Sequence, residues 1–314
     1  MRRGACLQTR ARKTAWIAAA ALLAVASLTA ASACSLLTSL DGLSSGEPTD
    51  AATDTSPTPP VDAGGDAPSG MNDSGGDVDA ADAAPSRSAL YASAVLADNP
   101  LGYWRLEETA GMTAKDETGR NDGAYVNTPL LAQPGVAGSA AAKLPATLKS
   151  RIAVATGNFG FTGNAQYTVE LWVKPGTFRD YQWLSGTELE VPNRRGWSLL
   201  ADANGAIRYE TWTSDGDGGS LQTRGLFVSG ASLVQDTFAH IVLAYTGSVA
   251  LGYVDGVNTT MFNTVGMTPP GGPLLWGCRG DLQQCLDDWV IDELAIYDFP
   301  LSQARVKAHY DLGK

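Results

Sequence analysis

Histidine is scarce in this chain: among 314 residues there are two, His240 and His309. One sits inside an apolar run and the other in a C-terminal segment with helical spacing, so a histidine-based triad or a multi-histidine zinc site lacks members. The patterns Gly-x-Ser-x-Gly, His-Glu-x-x-His and a glycine-rich loop ending in lysine are also missing. Their absence removes the nucleophile-elbow, zinc-protease and phosphate-cradle readings. Positive charge is short as well. The 22 Lys and Arg face 33 Asp and Glu, a formal charge of −11, and without clustered cations nucleic acid is excluded as a partner. The acidic balance reads as solubility. No strongly apolar run reaches the roughly 20 residues of a membrane span, the longest being the alanine-rich stretch from Ala15 to Leu28.

What surrounds that stretch is informative. Arg2, Arg3, Arg10, Arg12 and Lys13 precede it and Ala31-Ser32-Ala33 follows, the order of a basic region, an apolar region and a small-residue cleavage site in an export signal, residues 1–33. Cys34 stands next. Small residues directly before a cysteine resemble the lipobox of bacterial lipoproteins, here with Ala31 where leucine is commonest. The resemblance implies that the Cys34 thiol is diacylglycerated and becomes the mature N-terminus. Ser35, where inner-membrane retention uses aspartate, implies the outer membrane of a Gram-negative envelope. Two or three acyl chains anchor stably where one binds marginally, so the membrane is met through lipid alone. Residues 34–87 hold ten acidic side chains against Arg87 and almost no large apolar ones. Such a segment cannot offset its chain entropy by burial and is expected to form a disordered, extended tether.

From Ser88 the pattern changes. Phe238 to Val257, FAHIVLAYTGSVALGYVDGV, alternates with a period of two, turns at Thr246-Gly247-Ser248 and turns again at Asp255-Gly256, where positive φ is tolerated. Strands are also expected at Leu101–Leu106, Ile152–Ala155, Tyr167–Val173, Gln182–Ser185, Trp197–Ala201, Ala206–Trp212, Leu226–Val228 and Trp289–Tyr297. Gly, Asp and Pro turns separate them, which predicts an all-β sandwich of two antiparallel sheets over residues 88–314. Ser88 to Leu96 has helical spacing. Ser302 is an N-cap, with Leu301 and Val306 at staple positions, predicting a short C-terminal helix against the sandwich edge.

LGYWRLEETAGMTAKDETGRNDGAY, YTVELWVKP, FAHIVLAYTGSVALGYVDG and WVIDELAIYDFPLSQARVKAHY resemble, in order and wording, the concanavalin A-like, laminin-G-type jelly-roll domains of the bacterial lectin/glucanase superfamily. The resemblance spans about Tyr91 to Tyr310. It implies a jelly-roll fold and leaves function open, because that fold hosts lectins, adhesion modules and glycosidases. Glucanases of this kind place carboxylates as Glu-x-Asp-x-x-Glu on one strand. Glu188-x-Glu190 supplies only the first step, with Val191-Pro192 next and no Glu three residues after Glu190. Asp292 and Glu293 are adjacent, so on a regular strand they face opposite sides. No acid/base pair is thus visible, and catalysis is not expected.

Related domains also imply a structural calcium ion tying early and late segments together, with Asp116 and Asp292 as its carboxylates here. Asp215-Gly-Asp217 begins like a calcium loop, but Leu226 occupies the twelfth position, so a hairpin loop is expected instead. Cys278 and Cys285 in an exported chain are expected to form a disulfide. The enclosed Arg279-Gly280-Asp281 resembles the integrin tripeptide and is given no weight. Aromatic faces for sugar CH groups and polar groups for hydroxyls are available at Arg179, Tyr181, Trp183, Trp212, Asp215, Asp217 and Trp276, whereas Trp104, Trp172 and Trp289 read as core. The expected function is a surface-anchored, non-catalytic module that binds a glycan, surface polymer or envelope protein. A protein-contact module without a glycan site and a glucanase-type hydrolase are the alternatives.

Overall fold

The computed structural model describes residues 84–188, 194–214, 220–227, 232–264, 266 and 272–314. The expected export signal, Cys34, most of the expected tether, and Asp215 and Asp217 lie outside these residues. Two eight-stranded antiparallel sheets face each other. In the first, β14 (Val257–Asn263), β13 (Val249–Val254), β12 (Ala239–Tyr245), β7 (Tyr167–Lys174), β16 (Trp289–Tyr297), β5 (Ala140–Leu144) and β4 (Leu130–Pro134) are neighbours in that order. β1 (Gly102–Trp104) pairs with the C-terminal half of β16. The second sheet runs β11 (Ser220–Phe227), β10 (Ile207–Ser214), β9 (Gly196–Ala201), β8 (Gln182–Gly186), β15 (Leu274–Trp276), β6 (Arg151–Val154), β3 (Gly123–Val126) and β2 (Thr113–Ala114). This is the expected jelly-roll sandwich.

Alternation explains which side chains meet. Tyr167, Val169, Leu171 and Val173 of β7 enter the core between the sheets with Trp104, Trp197, Trp276 and Trp289. Thr168, Glu170 and Trp172 point the other way and are nevertheless buried, because a second apolar layer covers that face. That layer is made by two helices. α1 (Arg87–Ala97) starts at Ser86, whose hydroxyl accepts from Ala89 N at 3.1 Å. α2 (Gln303–Gly313) starts at the anticipated cap Ser302, and the staple residues Leu301 and Val306 are both buried. The expected edge position of α2 is corrected: it lies across the face of the first sheet, with Tyr310 stacked on Trp172. Trp172 offers more apolar area there than an edge does. Asp255 and Gly256 both take positive φ, 52° and 75°, as the tight turn requires. No helix among the described residues is long and apolar enough to cross a membrane.

β16 departs from regular alternation. Its register against β7 shifts between Asp292 and Ala295, and Glu293 has a φ of 51°. Ile291 and Leu294 both enter the inter-sheet core. The intervening bulge therefore sends both carboxylates to the helix side, not to opposite sides as a regular strand does. Asp292 Oδ2 accepts from Val136 N at 2.9 Å and Ser139 Oγ at 2.8 Å, and Glu293 Oε2 takes the Tyr103 hydroxyl. Burial pushes the Glu293 carboxyl up to about 8, although Tyr103 and Arg105 pull it down. Asp292 is raised too, by burial and then by Glu293. A raised carboxyl binds its proton more tightly folded than unfolded, so stability falls as pH rises from about 4.5 to about 8. Glu293→Gln keeps a neutral side chain throughout. Chemical denaturation across this range is expected to show the variant gaining on the wild type by more than about 1 kcal/mol, one pH unit of displaced titration being about 1.4 kcal/mol.

Candidate functional site

The helices occupy the first sheet, and the outward face of the second sheet carries the polar cluster. In β10, Ile207 and Tyr209 enter the core, and the period of two turns Arg208, Glu210 and Trp212 outward. Register then places their neighbours. Glu210 pairs with Ser198 of β9, and Ser198 pairs with Gly186 of β8, two residues before Glu188.

Glu188 is the centre of the cluster. Its Oε2 accepts from Ser198 Oγ at 2.7 Å, its Oε1 takes the Arg194 guanidinium, and Arg279 approaches Oε1 at 3.8 Å. Burial raises its carboxyl above the ordinary range, Arg194 and Ser198 oppose the rise, and the charge of Glu210 adds to it. Arg194 lies over the Trp212 ring, 4.2 Å from the centroid. A second unit is built alike. Arg208 pairs with Asp202 at 2.7 Å, lies 4.7 Å from the centroid of the Tyr181 ring and stands 3.8 Å from Glu210. Two arginine-covered aromatics, each tied to a carboxylate, thus share one sheet face.

Of the aromatics proposed from sequence, Tyr181 and Trp212 contribute to this cluster, and Tyr181 is 37 % exposed. Trp183 and Trp276 are corrected, since both are fully enclosed. Trp183 donates from Nε1 to the Leu275 carbonyl at 3.2 Å, and Gly186 makes room for its ring, an added Cβ there lying 2.7 Å from it. Trp276 enters the core 6.0 Å from the Trp104 ring. Neither can offer a face to a ligand. Arg179 lies apart, paired with Asp287 beside a hollow of about 340 Å³ that Lys149 and Cys285 also line. Cys278 and Cys285 are disulfide-bonded. Within their hairpin Arg279 closes on Asp281, with Nη2 to Oδ2 at 2.7 Å and Nε to Oδ1 at 3.0 Å. The Arg-Gly-Asp tripeptide is therefore folded on itself.

The structure does not bring the two carboxylates expected to share a calcium ion onto common partners. Asp116 and Asp292 have separate sets of partners, and Asp116 spends both oxygens on N–H and O–H donors from Tyr103, Thr118, Arg120 and Asn121. Such a set satisfies the carboxylate without a cation. Among the described residues no group of three or more His, Cys, Asp or Glu is arranged to hold a metal ion. Sequence reasoning missed Arg208 and Glu210. The alternating word Arg-x-Glu-x-Trp in a strand was the available signal, since it marks a polar face.

A family model described as the concanavalin A-like lectin/glucanases superfamily matches residues 148–307. No curated protein matches the sequence. Among solved structures, domain 4 of AbnA, a GH43 extracellular arabinanase from Geobacillus stearothermophilus in complex with arabinotriose, is similar with a TM-score of 0.51 and 18% identity, over 68% of this chain and 98% of that one. The binding domain of Paraclostridial Mosquitocidal Protein 1 is similar with a TM-score of 0.52 and 14% identity, over 68% of this chain and 52% of that one. The botulinum neurotoxin serotype G binding domain gives 0.52 and 13%, over 68% and 51%. The match thus spans about half the length of each toxin binding domain. At such identities these likenesses show the fold. With the family match covering half of its length, the chain belongs to the concanavalin A-like lectin/glucanases superfamily.

Proposed function

We propose that this chain is a non-catalytic binding module displayed on the cell envelope. It recognises a glycan or surface polymer on the outward face of the second sheet. In this reading Cys34 carries the lipid anchor, and residues 34–87 hold the domain of residues 88–314 away from the outer membrane. The observation that carries the proposal is the cluster of Tyr181, Arg208, Asp202, Trp212, Arg194 and Glu188 on one sheet face. It combines aromatic surface with polar groups of both kinds, the composition that saccharide recognition needs. Support also comes from the arabinanase domain, whose structure holds arabinotriose. Glu188 is committed to Arg194 and Ser198 within the protein, which argues against a freely positioned acid/base pair.

A glycan array probed with the full chain tests the reading. Retention of at least one saccharide class is expected, with Trp212→Ala lowering it about tenfold, the scale of one well-packed aromatic contact. Binding of an envelope protein with a silent array would favour the protein-contact alternative. Steady release of reducing ends from a bound polysaccharide would establish a hydrolase.

A further inference from the structure

We infer that the ligand of the second sheet's outward face is an uncharged, polyhydroxylated polymer and not an acidic one. The inference rests on that face being the binding surface. Among the described side chains the cluster contains three arginines, and each already has a carboxylate. Arg194 holds Glu188, Arg208 holds Asp202 at 2.7 Å, and Arg279 holds Asp281 through two nitrogens at 2.7 and 3.0 Å. A uronate or sulfate group competing for these guanidiniums has to displace a carboxylate and leave it unpaired. For Glu188, whose side chain is 1% exposed, that is most unfavourable.

The atoms left over have a different character. Arg208 Nε and Trp212 Nε1 are enclosed donors, Asp202 Oδ1 is an enclosed acceptor, and none has a hydrogen-bond partner among the described residues. They sit on neighbouring side chains of the same face, Asp202 being bound to Arg208. An anion can answer only the donors and repels Asp202. A hydroxyl donates and accepts at once, so one chemical group can serve both kinds. The Tyr181 and Trp212 rings supply the apolar area that sugar CH groups need. Long-range charge acts in the same direction, because a chain of formal charge −11 repels a polyanion before contact.

The test is affinity electrophoresis of the full chain in neutral polysaccharides, an arabinan and a β-glucan, and in acidic ones, polygalacturonate and dextran sulfate. Each is run at about 0.05 and about 0.5 M salt, which spans the range over which exposed charge pairs become screened. Retardation by a neutral polymer, changed less than about twofold by salt, is expected, with none by the acidic polymers. Arg208→Ala, which strands Asp202, and Trp212→Ala are each expected to weaken retardation about tenfold or more. The salt comparison uses the unaltered protein and stands even where a variant misfolds. Retardation by an acidic polymer that fades with salt overturns this inference and leaves the binding-module reading intact. Failure of all four polymers to retard the chain removes both.

Discussion

Replacing Glu170 by alanine is expected to cost about 3 to 5 kcal/mol of folding free energy, the range for removing one partner of a buried ion pair. Glu170 points out of β7 into the layer under the helices and is completely buried. His240 Nε2 reaches its Oε1 at 2.8 Å and His309 Nδ1 reaches it at 3.0 Å. Tyr297 donates its hydroxyl to Oε2 at 2.7 Å, and the Tyr91 hydroxyl lies 3.3 Å from Oε1. The other nitrogen of His309, Nε2, faces Asp98 Oδ2 at 3.2 Å, beside Arg305, which also binds Asp98. With a carboxylate at each ring nitrogen, His309 satisfies both only as an imidazolium. Burial opposes that charge, yet Glu170 and then Asp98 outweigh it and raise the His309 value. Burial likewise opposes ionised Glu170, and the two histidines hold it well below the carboxylate range.

The pH window follows from the two directions. The raised histidine contributes fully below its unfolded value near 6.5, and the contribution is lost as pH rises through the folded value. The depressed carboxylate contributes fully above its unfolded value near 4.5, and its share is lost as pH falls through the folded value. The pair is therefore strongest between about pH 4.5 and 6.5. Urea denaturation of wild type and Glu170→Gln is expected to show their difference largest in that interval and shrinking on the alkaline side. A Glu170→Ala loss below about 1 kcal/mol, the level of an exposed pair, would show that the helices do not depend on this clasp.

Asp116→Ala is expected to have the next largest effect, about 3 kcal/mol. It leaves several enclosed donors without their charged acceptor, and bonds to charged groups are worth about 1.5 to 3 kcal/mol each. The turn DETGRNDG is wrapped around this side chain. Oδ1 accepts from Tyr103 N and Thr118 N, both at 2.9 Å, while Oδ2 accepts from Thr118 Oγ1 at 2.6 Å, Asn121 N at 2.8 Å and Arg120 N at 3.2 Å. Burial works to raise its carboxyl, and these donors together lower it. Its stabilisation is thus present above the ordinary value of 3.8 and is lost as pH falls through the lowered folded value. Calcium is expected to leave the melting temperature of the wild type unchanged, since a site that binds no ion gains no stability by mass action. A calcium-dependent rise that vanishes in Asp116→Ala would restore the metal reading and remove this one.

Short-range chemistry in the chain determined much of this by itself. Period-two alternation in 167–173 and 238–245 is enough to define strands, because only that period puts every second side chain on one face. The Asp255-Gly256 turn and the Ser302 cap are equally local, each resting on the backbone preferences of one or two residues. β5, β4 and β15 were not legible, being short pieces such as AAAKL and LLW whose pairing comes from distant strands. Only tertiary structure decided the faces. A one-residue bulge at Glu293 returned two carboxylates to the same side, and no propensity in WVIDELAIY announces it. Trp183 and Trp212 look alike in sequence. One is sealed by Gly186 and Leu275, and the other takes an arginine on its ring. Glu170 meets His309 across 139 positions of chain, and a contact of that range is set by packing of α2 on the sheet and by nothing local.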